Sequence, residues 1–434
     1  MTRGRILACA FTCCPPAMPG FTGGEDVLGW SLLQQIARFH DVWAITHAED
    51  RQSIEQTLSK RPVPGLHIHY VGLPQWLKPL LKYQGGHQFY YYLWQLKAYL
   101  KARRLQRQNG FDLFHHITYA NDWMASFIGA FAPIPYVRGP GGGAHRTPKG
   151  LSHEYTLGGR FWEKLRTIGQ WVFRHDPVYL KGQSRASALL LCNRDSIAKN
   201  PKEWSHKAHL FPVSGVSSED LARTPSITPN HNQFSALSAG SLIKVKGFGL
   251  AIKAFEKFSK NHPDSMLTIA GSGPEETRLR RLIDRYQLSE KVQVIGAIPR
   301  DELLTRMESS DVLLFPSLRD GGGTVVIEAM SLGKPVVCLD IGGPGMHITD
   351  ECGIKITPSS QEETVRDLAD ALELLYSDKE LRFTMGQAAR EKAKRDYHWD
   401  HLGDRLAEIY QAIIGNELPN DACLISSSPS LPSE

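Results

Sequence analysis

Residues 320–337 read DGGGTVVIEAMSLGKPVV. An acid, Asp320, precedes three glycines, and an apolar run with helical character then carries a second acid, Glu328. The run stops at Gly333, and Lys334-Pro335 opens a new apolar strand. Glycines ahead of a helix let the backbone approach a ligand closely, and the N–H groups at the helix start make an anion site. With the helix beginning near Thr324, Glu328 lies about one turn inside it and can point the same way as Asp320. An ionised carboxyl accepts two donors side by side, which suits the paired hydroxyls of a ribose. The plainer reading is an ordinary strand–loop–helix of an α/β domain, whose glycines only tighten a turn.

Outward from this stretch the same grammar recurs. Short β-capable runs stand at 233–240, 266–274, 291–298, 312–317, 335–340 and 353–357, and most are separated by helical periods such as LAIKAFEKFSK at 250–260. The earlier half shows strands at 5–11, 41–47, 66–73, 111–119, 134–139, 187–193 and 209–215. Strands alternating with helices of this length predict mostly parallel, doubly wound sheets. The fold class is therefore α/β, with two Rossmann-like doubly wound domains. We place the first at 1–224, the second at 225–395 after the proline-bearing linker, a last helix at 396–415, and a disordered serine- and proline-rich tail at 416–434.

A chain of 434 residues is long enough for two or three domains with substantial cores. No apolar run reaches the roughly 18 residues of a membrane span. The start MTRGRILACAF is too short an apolar piece, and too soon followed by Pro15-Pro16, for an export signal. Seven scattered cysteines, with only Cys13 and Cys14 close together, fit a reducing cytoplasm. The charge is divided: residues 1–212 carry +13 and the remainder −8, and residues 56–111 hold nine Lys+Arg and no acid. Such asymmetry points the first half at something anionic.

Four stretches of the first half bear on that partner. Gly23-Gly24-Glu25 stand between the first strand and a helix, the phosphate-facing place of a Rossmann unit. In the helix of 89–107, Phe89, Leu93, Leu96 and Leu100 repeat at helical spacing, while Lys97, Lys101, Arg103, Arg104 and Arg107 crowd its end. Packing on a sheet is the ordinary reading of that helix, and an anionic membrane surface the sharper one. His115 and His116 close the fourth strand, and 134–148 is a strand breaking into glycines near Arg138, His145 and Arg146. Packing is the commoner fate of such histidines, and a strand turns adjacent residues to opposite faces.

SAGSLIKVKGFGLAIKAFEKF, LTIAGSGPEETRLRRLI and LLFPSLRDGGGTVVIEAMSLGKPVV together resemble the retaining glycosyltransferases of family 4, over residues from about 5 to 415. YYYLWQ, HHITYANDW and GPGGGAHRTP resemble a polysaccharide-assembly subgroup. The resemblance implies the GT-B fold, two Rossmann domains facing across a cleft, with the C-terminal helix crossing back to the first. It implies sugar transfer from a nucleotide-diphosphate sugar to a hydroxyl of a saccharide, free or lipid-linked, with retention at the anomeric carbon. By position, Glu328 holds the donor ribose, and Asp320 meets the donor sugar hydroxyls near the reacting centre. Lys246 neutralises the leaving diphosphate, and Gly321, Gly322, Gly323, Thr324 and Val325 offer N–H groups to the donor. Gly24 sits opposite, and Ile298 falls near the base. Gly23, Glu25, His116 and Arg138 are assigned to the acceptor side.

Three departures from the family pattern stand out. The first acid is Asp320 rather than Glu. Ser241 stands where the family has an arginine, with Lys244 or Arg319 as nearest substitutes. Glycines 141–143 replace a histidine, for which His145 is the stand-in as a third catalytic residue. Neither Asp-x-Asp nor a His/Cys cluster of ligand spacing is present, so no cofactor and no metal are expected, the nucleotide-sugar being a substrate. The expected partners are that donor, a saccharide acceptor and an anionic membrane surface met through 56–111, with no nucleic acid. The expected location is cytoplasmic, peripheral at the inner membrane face. Two alternatives stay open: a nucleotide-sugar epimerase on the same fold, and a non-catalytic nucleotide-binding relative. A Rossmann oxidoreductase fits less well, because no GxGxxG follows the first strand.

Overall fold

A computed structural model describes residues 3–15, 24–82, 86–143, 146–154, 157–223 and 233–415. Gly23, His145 and the tail 416–434 lie outside them. The chain divides into two compact units. The first takes residues 1–144, 167–213 and 399–434; the second takes 145–166 and 214–398.

The first unit is built on β1 (Arg5–Cys9), β2 (Asp41–His47), β3 (Leu66–Val71), β4 (Leu113–His116), β5 (Tyr136–Gly141), β6 (Ala188–Leu191) and β7 (Ala208–Leu210). They form one parallel sheet in the order β3-β2-β1-β4-β5-β6-β7. The central strands read as continuous apolar runs because helices cover both faces of the sheet. One face packs the helix Gly24–Phe39 through Leu28, Leu32 and Ile36. The last helix, Trp399–Ile414, joins this same core with Leu402, Leu406, Ile409 and Tyr410, so the C-terminus returns to the first unit as expected. Gln35 Nε2 donates to Asp400 Oδ1 at 3.1 Å across that contact.

The other face packs the helix Gly86–Asn109, and here the sequence stripe misleads. Phe89, Leu96 and Leu100 are exposed, whereas Tyr90, Tyr91, Trp94, Ala98 and Leu105 face the sheet. The aromatic set wins because it buries more area and satisfies its polar tips. Trp94 Nε1 donates to Val71 O at 2.7 Å, and Tyr91 OH meets His116 Nε2 at 2.7 Å.

The second unit has β8 (Ser235–Ala239), β9 (Met266–Ala270), β10 (Val292–Gly296), β11 (Val312–Phe315), β12 (Val336–Leu339) and β13 (Gly353–Ile356). Its sheet is parallel, in the order β10-β9-β8-β11-β12-β13. The helices Phe248–Ser259 and Gln361–Ser377 pack one face through Leu250, Phe255, Leu368 and Leu372, and Thr324–Ser331 packs the other through Val326, Ile327 and Met330. Among the described residues no helix is long and apolar enough to cross a membrane.

Candidate functional site

The second sheet changes its direction of winding between β8 and β11. Loops leaving the carboxyl ends of two such strands run apart, and the crevice they leave is where open α/β sheets bind ligands. The loop after β8 carries Lys246, and the loop after β11 carries Asp320 and the glycines. The two loops are also tied together. Leu318 N donates to Val245 O at 2.7 Å, and Ser317 Oγ to the same carbonyl at 3.1 Å. Gly247 adopts φ 70°, and a Cβ there would stand 1.9 Å from Pro316 O, so only glycine lets the loops approach this closely.

This approach brings Lys246 Nζ onto Asp320 Oδ2. Asp320 Oδ1 accepts from Gly323 N at 2.8 Å and Gly322 N at 3.1 Å. Burial works to raise the Asp320 pKa, but the Lys246 charge and these donors outweigh it and hold the carboxyl below its ordinary range. The group is therefore ionised. Two of the five N–H groups expected to face a donor are thus turned onto Asp320. Thr324 and Val325 are the first residues of the helix, whose N–H groups have no intrahelical acceptor by geometry. Thr324 Oγ1 is fixed by Ser214 Oγ at 2.6 Å.

The glycine loop rests on a buried histidine absent from the sequence reading. His347 Nε2 lies 2.7 Å from Gly322 O and its Nδ1 2.9 Å from Tyr397 OH. Because a carbonyl only accepts, Nε2 carries the proton and Nδ1 accepts from the tyrosine. Burial pushes the His347 pKa down to about 4, so the ring is neutral. Gly323, at φ 56°, packs beneath it: a Cβ would sit 3.2 Å from His347 and Pro344.

Glu328 is buried on the same helix and is not alone. Arg300 Nε donates to Glu328 Oε1 at 2.8 Å, and Arg300 Nη1 to Asp220 Oδ1 at 2.9 Å. Burial raises the Glu328 pKa, against the pull of Arg300. Asp220 is held low despite its own burial, chiefly by Arg300. Arg300 opens a helix just after Pro299, past the carboxyl end of β10. That position was a legible hint; Asp220, from a short helix far away in sequence, offered none. Arg319, one suggested replacement for the family arginine, is committed to Glu163 at 2.7 and 2.9 Å. Lys244 shares a single 3-10 turn with Lys246.

In the first unit Gly24 and Glu25 open their helix and are exposed. His116 and Arg138 are buried. His116 is held by Ser126 Oγ and Tyr91 OH, each at 2.7 Å, and Arg138 donates to the carbonyls of Asn121 and Met124. His115 meets Gly139 O and Tyr410 OH. Packing accounts for every one of these contacts. β5 continues into the glycines as far as Gly141, where a Cβ would fall 1.9 Å from Ala120 O, so that glycine serves close backbone packing.

Residues 223–392 match the family described as glycosyl transferases group 1. Alpha-D-kanosaminyltransferase of Streptomyces kanamyceticus is 27% identical over 256 residues, which are 57% of this chain and 64% of that protein, so this chain spans just under two thirds of its length. Sucrose-phosphate synthase from Thermosynechococcus elongatus superposes with a TM-score of 0.65 at 17% identity, over 95% of this chain and 100% of that one. The HepE protein of Anabaena, solved in complex with UDP and glucose, gives 0.61 at 17% identity, over 94% and 100%. The likeness covers nearly the whole chain and shows the fold, GT-B, built from two parallel-sheet α/β units.

Proposed function

We propose that this protein transfers a sugar from a nucleotide-diphosphate sugar to a hydroxyl of a saccharide acceptor, with retention at the anomeric carbon and without a metal. One observation carries the reading: Lys246, Asp320 and the glycine-headed helix meet at the switch point of the second sheet. Charge gathers on the departing diphosphate as the glycosidic bond breaks. A cation and unpaired helix N–H groups held in place beforehand stabilise that charge without reorganising. Lys246 then exchanges its Asp320 contact for phosphate, and Asp320 turns to the hydroxyls of the donor sugar. Glu328, oriented by Arg300, takes the ribose. Both acids are then engaged by the donor, Asp320 through the sugar hydroxyls and Glu328 through the ribose, so neither is free to act as the general base that inversion needs. His145 remains the proposed third residue of the reacting centre, and Gly23, Gly24 and Glu25 remain proposed for the acceptor side. His116 and Arg138 would act there through packing.

The complex of the HepE relative with UDP and glucose favours a UDP-sugar as first donor to try. The basic region 56–111 favours an acceptor carrying phosphate, such as a lipid-linked saccharide at an anionic membrane face. Thermal shift against UDP, GDP, ADP and their sugars identifies the donor, because a bound ligand raises the melting temperature with ln(1 + [L]/Kd). Transfer is then followed with that donor. No shift with any nucleotide, or full transfer by Lys246→Ala, refutes the proposal. Donor turnover without an acceptor replaces it with epimerisation.

A further inference from the structure

The helix Leu157–Arg174 is amphipathic in the reverse sense to a packed helix. Four of its polar residues are engaged within the protein. Glu163 pairs with Arg166 and Arg319, Gln170 Nε2 donates to Gly143 O at 3.3 Å, and Arg174 Nη2 meets Asp122 Oδ2 at 3.1 Å. Most of its described apolar residues point out, Phe173 alone among them packing inward on Tyr92 and Trp123. Phe161 is 59% exposed, Trp162 50%, Ile168 58% and Trp171 63%, with Leu165 and Val172 exposed between them. At 100° per residue, Phe161, Leu165, Ile168 and Val172 form one stripe, and the two tryptophans flank it on either side.

We propose that this helix lies in the surface of an anionic lipid bilayer, with the stripe among the acyl chains and Trp162 and Trp171 at headgroup level. Its outward face has the composition of an interfacial helix, strongly two-sided and too polar overall to cross. Tryptophan is enriched at the membrane–water boundary for its apolar ring and polar N–H. Charge selects the partner. Residues 157–185 contain six Lys+Arg and two acids. Both acids are engaged within the protein, Glu163 as above and Asp176 by Val178 N and Tyr92 OH. Lys164, on the edge of the stripe, Lys181 and Arg185 are exposed. Lys164 beside the stripe, and the exposed basic groups of the helix Pro177–Arg185 that follows, complement anionic headgroups. A second copy of the chain, docked through the same face, would oppose like charges. The inference is independent of the proposed chemistry and assigns membrane contact to a different element from the basic helix Gly86–Asn109.

The full chain is floated with vesicles of phosphatidylcholine alone and of phosphatidylcholine with phosphatidylglycerol. Binding to the anionic vesicles is expected, with a blue shift of tryptophan emission. Phe161→Ser, Ile168→Ser and Trp171→Ser combined remove exposed groups only, and should lower the bound fraction roughly tenfold or more. Circular dichroism verifies that this variant folds. Leu96→Ser with Leu100→Ser, on the other helix, should float like the wild type. A wild type that stays unbound overturns the proposal. So does a triple variant that floats normally, or loss of binding only in the Leu96/Leu100 pair. Self-association abolished by the triple variant, without vesicle binding, assigns the face to a second copy instead.

Discussion

Arg300 Nε stands 2.8 Å from Glu328 Oε1, and its other arm reaches Asp220. A carboxylate proposed to hold a ribose is thus held first by a guanidinium that no motif announced. Removing one partner of a buried pair leaves an uncompensated charge. Arg300→Met should destabilise the second unit by about 3 kcal/mol, the lower end for such pairs because Arg300 keeps some water. The donor KM should rise more than kcat falls. Urea unfolding of Arg300→Met, Glu328→Gln and the double variant checks this. The double loss should be smaller than the sum of the single ones.

Lys246 and Asp320 form the second pair. Lys246→Met should cut transfer by on the order of a hundred- to a thousandfold, the usual loss of a preorganised electrostatic donor. Nucleotide affinity should fall far less, because the helix start and Glu328 remain. Single-turnover transfer and calorimetric titration with the nucleotide separate the two effects. Equal loss in both would make Lys246 a binding group only.

The glycines rank by what surrounds them. Gly323→Ala meets a left-handed φ and contacts at 3.2 Å, so it should cost about 1–2 kcal/mol. Gly247→Ala combines a left-handed φ with a backbone oxygen at 1.9 Å, which cannot yield without parting the two loops. It should cost more and also disperse Lys246 from Asp320. Denaturant midpoints of the two variants test the order.

Acid should weaken the second unit in a defined window. The His347 pKa is about 4 in the folded chain against an ordinary 6.5. Between those values the unfolded chain takes up a proton that the folded one does not. Stability is therefore flat above 6.5 and falls as pH drops toward 4, by up to about 3 kcal/mol from this group. Asp320 has a depressed pKa, so its contribution holds above the ordinary carboxyl range and is lost below it. Melting temperature against pH for wild type and His347→Gln tests this, since glutamine can still donate to Gly322 O. The slope should flatten in the variant for the second unit, while the first unit keeps an acid dependence of its own, because burial also pushes the His115 pKa down to about 4.

The strand runs and the glycine-headed helix were legible because each is a local pattern, whereas the meeting of Lys246 with Asp320, 74 residues apart, was not. Apolar runs of strand length between helices leave a parallel sheet as the main solution, and a glycine run before a helix marks a close backbone approach. The outward face of Gly86–Asn109 was misread because apolar residues circle that helix, and periodicity alone does not say which side is larger and better satisfied. The reversed helix Leu157–Arg174 was not singled out at all, since its stripe resembles that of any packed helix.

Sequence alone determined the alternation of strands and helices and the two-unit α/β class. Only the tertiary structure decided which cation holds which acid, that two loop N–H groups turn back onto Asp320, that His347 supports the glycine loop, and which apolar faces stay outside. The reason is range. Periodicity and turn chemistry act within a few residues, whereas Arg300, Asp220 and Glu328 meet only because a sheet of parallel strands brings distant chain segments to one place.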